Sequence, residues 1–119
     1  MLVLEQLIVD THSDFSPWAE VNAGFLDDRS FAIELVFEGT HPDYRLLAIV
    51  SPEDAQRMAG RLGVGLTQLP ETIYDHFGEE CESPESTGTH VENVFNDILN
   101  FVISHGAHYR IRKELIHAE

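Results

Sequence analysis

The sequence predicts an α+β fold, an antiparallel β-meander of about four to five strands packed by two to three helices in the order β-β-β-β-α-α-α-β. Three features carry this expectation. Apolar and polar residues alternate between Ala19 and Val50, the apolar spacing changes to a helical one at Ser51, and a weaker alternation returns after Gly106. With 119 residues the chain fits a single domain, 1–119, large enough to bury a core without disulfides or metal. Its 43% hydrophobic content, with 7 Phe, 3 Tyr and 1 Trp, belongs to a globular chain and not to one kept disordered by its charge.

The first strand is expected over Leu2 to Val9, a leucine-rich and β-branched run ended by polar residues, either buried or at an edge. Ala19, Val21, Ala23 and Phe25 then alternate with Glu20, Asn22 and Gly24, the period of a strand with one buried face. Leu26 to Ser30 is a polar turn, after which Phe31, Ile33, Leu35 and Phe37 resume the pattern, so the two runs make a hairpin. A second turn at Gly39 to Asp43 leads to a strand over Tyr44 to Val50. Connections this short cannot cross over a sheet, which requires antiparallel pairing.

Ser51 is placed to cap a helix that has Pro52 in its first position, Glu53 and Asp54 at the positive end of its dipole, and Ala55, Met58, Ala59 and Leu62 in one stripe ending at Gly63. A second helix is expected from about Thr67 to Phe77, with Pro70 in its first turn, Leu66, Leu69, Ile73 and Phe77 inward, and Gly78 as its stop. Residues 78–88, GEECESPESTG, have no period and read as a loop. Thr89 with Glu92 has the spacing of a capping box, and Val91, Val94, Phe95, Ile98, Leu99, Phe101 and Val102 give a third helix a wide apolar stripe. A last strand is expected over His108 to Leu115.

Charge is the most informative property. There are 21 Asp and Glu against 7 Lys and Arg, a net charge of −14. Such a field repels nucleic-acid backbones and anionic membranes and steers cationic partners inward. It is also uneven: no Lys or Arg lies between Arg61 and Arg110, where eight acids fall, while Arg110, Arg112 and Lys113 put three of the seven basic residues on one short segment. MLVLEQLIVD reads neither as a signal peptide nor as a membrane span, and one cysteine, Cys81, fits a reducing compartment, so a cytoplasmic location is expected.

Chemistry-bearing motifs are few. Asp10-Thr11-His12-Ser13-Asp14 could put Asp10, His12 and Asp14 on one side of a strand end to hold a divalent metal, and it resembles the first-strand metal motif of amidohydrolase barrels. That fold needs eight strands and about 200 residues or more, and the same string serves equally as a strand-end turn. His105 and His108, with His12, His76 or His90, are further candidate zinc ligands that no spacing brings together. Residues 55–73 resemble a helix-turn-helix, yet the second helix offers Pro70, Glu71 and Asp75 and no Lys or Arg to phosphates or base edges. Cys81 sits among Glu79, Glu80 and Glu82, which disfavours its thiolate. No nucleophile elbow, phosphate loop or Cys-x-x-Cys occurs, and no cofactor is implied.

These observations point to a protein-binding module that recognises a basic protein partner. Glu71, Tyr74, Asp75, Glu79, Glu80, Glu82 and Glu85 are the candidate contact residues, and Phe15 and Trp18 around Pro17 are further candidate aromatic anchors. In size and charge the chain resembles bacterial immunity proteins, antitoxins and phage-encoded inhibitors of nucleic-acid enzymes, a resemblance that implies neutralisation of a basic partner. A small metal-dependent enzyme using Asp10, His12 and Asp14, and a homodimeric adaptor associating through a sheet edge, are the alternatives.

Overall fold

A computed structural model describes residues 2–10, 18–38, 44–78 and 88–115. Among them are five strands, β1 (Val3–Asp10), β2 (Trp18–Phe25), β3 (Phe31–Glu38), β4 (Tyr44–Val50) and β5 (Arg110–Leu115), and three α-helices, α1 (Pro52–Leu62), α2 (Leu69–Phe77) and α3 (Gly88–Ser104). The element order is the one the sequence predicts. All four strand pairings are antiparallel and the spatial order is β1-β2-β3-β4-β5, so β5 returns to the edge beside β4 after the helices.

Local chemistry sets the boundaries. At the β2–β3 turn the Arg29 N–H donates to the Leu26 carbonyl at 2.9 Å, Ser30 N–H donates to Asp28 Oδ1 at 2.9 Å, and Arg29 adopts φ 70°, the type I turn with a left-handed residue used in short hairpins. Ser51 Oγ accepts from Asp54 N–H at 3.2 Å to start α1. Gly63 ends it at φ 72°, a left-handed conformation that glycine adopts without penalty. The second helical segment differs from expectation at its start: Leu66–Gln68 form one 3₁₀ turn before α2 begins at Leu69. Pro70 accounts for this, because it lacks the N–H that an α-helix begun at Thr67 would need once past its first turn. α3 begins one residue before Thr89, and β5 two residues after His108.

The helices cover one face of the sheet. Ala19, Val21, Ala23, Phe25, Phe31, Ile33, Leu35, Phe37, Ala48 and Val50 point toward Ala55, Met58, Leu69, Ile73, Val91, Phe95, Ile98 and Val102, and together they form the main core. The other face has a second, smaller core of Leu2, Ala32, Leu47 and Ile49, with Leu26 at its margin. Leu2 reaches that face because β1 is irregular: its register shifts between Val3 and Gln6 and again between Leu7 and Val9, and Leu4 sits at φ 54°. Gly24 makes room for it. A Cβ at Gly24 would lie 2.7 Å from Leu2 Cβ and 2.9 Å from the Val3 carbonyl oxygen.

Gly24→Ala is therefore expected to push β1 off β2 and to lower stability by about 1–3 kcal/mol. Urea denaturation measures this; an unchanged midpoint would show that β1 does not need the close approach.

Candidate functional site

The helix-free face carries a row of polar side chains that crosses four strands. Successive strand pairs set it up: Asn22 lies opposite Glu34, and Arg45 lies opposite Glu114. Asn22 Nδ2 donates to Glu34 Oε1 at 3.1 Å, and an Arg45 terminal nitrogen meets Glu34 Oε2 at 3.0 Å. Arg45 Nε donates to Glu114 Oε1 at 2.8 Å with a second, closer contact from its other terminal nitrogen, and Arg112 Nε meets Glu114 Oε2 at 2.7 Å. Glu34 is 4% exposed. A carboxylate so enclosed is tolerated only when its oxygens are paired, and here both are.

The titration behaviour follows. Burial pulls the Arg45 guanidinium down, but the hydrogen bond and charge of Glu114, together with Glu34, outweigh it and hold Arg45 above its ordinary range. The hydrogen bond from Arg45 is the main cause holding Glu114 below the ordinary 4.5 of a glutamate. Glu5 on β1 is raised above 4.5, first by desolvation and then by the charge of Glu34. Nothing in this row offers an unpaired reactive group, and its chemistry is that of a structural clamp.

A second polar feature is an open cleft of about 490 Å³ lined in part by Ser51, Asp54, His108, Tyr109 and Arg110. Its groups are engaged in holding the chain. Ser51 Oγ caps α1, and Asp54 Oδ2 accepts from the His108 N–H at 3.0 Å. Arg57 donates to Asp54 Oδ1 and to the Gly106 carbonyl, both at 3.2 Å. This set pins the α3–β5 connection to α1.

The third feature is the outer surface of α2. Glu71, Tyr74 and Asp75 are exposed there, and neither carboxylate has an ion-pair partner among the described residues. The Tyr74 ring is 39% exposed and rests on Gly78, where a Cβ would collide with it, so the ring is held in place while one side faces solvent. α3 adds exposed Glu92 and Asp97, and neither helix contains Lys or Arg. Glu79, Glu80, Glu82 and Glu85, with Cys81, follow α2 in the sequence and lie outside the described residues.

Of the metal candidates, Asp10 closes β1, whereas His12 and Asp14 lie outside the described residues, as does Phe15. Trp18 opens β2. The side chain of His90 lies outside the described residues, and the described histidines His76, His105 and His108 do not form a three-ligand set. His76 and His105 stack on Phe101 from α2 and α3, at 4.9 Å and 4.3 Å between ring centroids, and Phe77 meets Phe101 edge-on at 5.4 Å, which makes them part of a helix-packing seam. His108 stands apart, at Asp54. Among the described residues no group of three or more His, Cys, Asp or Glu side chains is placed to hold a metal ion. Nor is any helix among them long and apolar enough to cross a membrane. No protein-family model, curated protein or solved structure matches this chain.

Sequence reasoning missed the Glu34 clamp. Its signal lay in β3 and β4, where Ala32, Val36, Leu47 and Ile49 supply apolar residues on the nominally polar parity, the mark of a sheet covered on both faces.

A pH series on two variants tests the clamp. Glu114 has a lowered folded pKa, so it contributes stability above 4.5 that is lost as pH falls through the folded value; Glu114→Gln should lie below wild type near neutrality, with the gap closing in acid. Glu5 has a raised folded pKa, so it costs stability as pH rises from 4.5 through the folded value; Glu5→Gln should lie above wild type near neutrality. Thermal unfolding between about pH 3 and 7 reads both, and parallel curves for either variant would contradict its assignment.

Proposed function

We propose that this chain is an acidic protein-binding module that docks a basic protein partner through the outer surface of α2. The observation that carries the reading is the half-exposed Tyr74, its ring lying against Gly78, beside Glu71 and Asp75 on a helix that bears no Lys or Arg. Interface hot spots favour a rigid aromatic body surrounded by groups that confer specificity, and unpaired carboxylates beside it supply attraction for Lys and Arg. The charge of the chain adds to this. All seven basic residues lie elsewhere: Arg29 in the β2–β3 turn, Arg45 on β4, Arg57 and Arg61 on α1, and Arg110, Arg112 and Lys113 on β5.

In this reading the module works by occlusion. A small acidic protein that finds a basic enzyme through long-range attraction and covers its nucleic-acid or active-site surface neutralises it, as inhibitor and immunity-type proteins do. Electrostatic steering accounts for speed, and burial of the exposed side of Tyr74 on docking for residence.

Capture from a native lysate on the immobilised chain tests this, comparing wild type with Glu71→Lys/Asp75→Lys and with Tyr74→Ala. A basic protein should be retained at low salt, released as salt rises, and lost with the charge-reversed variant. Tyr74→Ala should weaken binding by about 2 kcal/mol, roughly thirtyfold. Equal capture by all three forms would overturn the α2 assignment.

A further inference from the structure

We propose that the free edge of β5 binds an extended acidic peptide segment, which adds to the sheet as a sixth strand with acidic residues at alternate positions. Among the described residues the sheet has two edges, β1 and β5, neither paired on its outer side, and they differ. β1 is broken by two register shifts and by Leu4 at φ 54°, features that twist an edge away and spoil it as a template. β5 pairs with β4 through six consecutive residues without a shift, from Arg110 opposite Ile49 to Leu115 opposite Tyr44. Its outer edge is a regular row of backbone donors and acceptors.

The side chains of β5 select what can use that row. Arg110 and Arg112 share the helix-free face, two residues apart, and Ile111 lies between them on the other face, 50% exposed, with Lys113 next to it on that face. Arg110 makes no ion-pair contact among the described residues, and its charge acts on Asp28 in the β2–β3 turn. Arg112 is tied to Glu114 through Nε, and no other carboxylate among the described residues pairs with it. In a chain with net charge −14, three of seven basic residues stand within four positions of an edge strand.

A second copy of β5 paired antiparallel about the strand centre sets Arg112 against another Arg112 or against Lys113, and β1 of another copy lacks a regular edge, so charge disfavours the one self-pairing and geometry the other. An added strand with the pattern acid, apolar, acid meets both demands. Its carboxylates lie across from Arg110 and Arg112, and the apolar residue between them covers Ile111. This surface is separate from α2, and the two readings stand or fall independently.

The test uses a fluorescein-labelled peptide with the core Thr-Glu-Val-Glu-Val-Thr, titrated with the full chain at low salt and read by fluorescence anisotropy. Comparison peptides are the same composition with its glutamates adjacent and the same sequence with alternate amides N-methylated. Saturable binding is expected, weakened on the order of tenfold or more by N-methylation, by rearrangement of the glutamates and by Arg110→Glu/Lys113→Glu, and unchanged by Glu71→Lys/Asp75→Lys. Arg110 and Lys113 lie outside the Glu34 clamp, but Lys113 also packs over the Tyr44 ring, so Arg110→Glu alone is measured beside the double variant and should weaken binding too, with circular dichroism verifying that each keeps its fold. Absence of saturable binding, or equal binding of the N-methylated peptide, would overturn the proposal. So would self-association of the chain, seen by sedimentation, that Arg110→Glu/Lys113→Glu abolishes.

Discussion

Arg45 joins β3 to β5 through side-chain contacts on the helix-free face. Its guanidinium meets Glu34 on β3 and Glu114 on β5, a residue 69 positions away in sequence, and Asn22 extends the same row to β2. The strand it recruits has little else to recommend it. β5 reads Arg-Ile-Arg-Lys-Glu-Leu; its residues 110–113 are exposed and Glu114 is half-buried. Burial of apolar area, which fixes β2 and β3, cannot fix β5. The backbone ladder to β4, the Arg45 clamp, Lys113 over the Tyr44 ring at 4.6 Å and the Asp54 contacts at the α3–β5 connection do so instead. A buried ion pair contributes little beyond a well-packed apolar pair, but it is severe on alternatives, because any slip of β5 takes Glu114 away from the part-buried Arg45.

From that arrangement the distribution of charge follows. Basic residues are spent where they neutralise buried acid or pin a connection, at Arg45 and Arg57, or they stand along β5. The surfaces of α2 and α3 are left with carboxylates alone. Both proposed contact surfaces arise from this segregation, one acidic with an aromatic anchor on a helix, the other basic with an aliphatic side chain on a sheet edge. They use different physics. The first depends on side chains and long-range attraction, the second on backbone hydrogen bonds that only an extended partner can make.

Much of the fold was legible in the sequence because its signals are local. Alternation in β2 and β3, the Ser51 and Gly63 caps, and the stripe of α3 each report on a few neighbouring residues, and none is overridden by tertiary contacts. The irregularity of β1 was not legible, since Leu4 is no ordinary choice for a left-handed residue and its conformation depends on Leu2 packing across Gly24. The burial of Glu34 was equally hidden. A glutamate on the polar parity of a strand reads as solvated, and only the pairing of β4 with β5 reveals the arginine that neutralises it. For the candidate site, Glu71, Tyr74 and Asp75 were named from the run of acids without Lys or Arg between Arg61 and Arg110, and the structure places all three on the exposed side of α2. The edge of β5 was seen only as a cluster of basic residues, because freedom of an edge is a property of sheet order.

A double-mutant cycle on Glu34→Leu and Arg45→Met tests the clamp most directly, with stability of the four proteins measured by denaturant unfolding. Arg45→Met should cost several kcal/mol by stranding the buried Glu34, Glu34→Leu should cost less because Arg45 keeps Glu114, and the double should recover part of the loss, a coupling of about 1–3 kcal/mol. Additive losses, with no coupling beyond error, would show that Arg45 and Glu34 do not act as a clamp between β3 and β4 and would contradict the account.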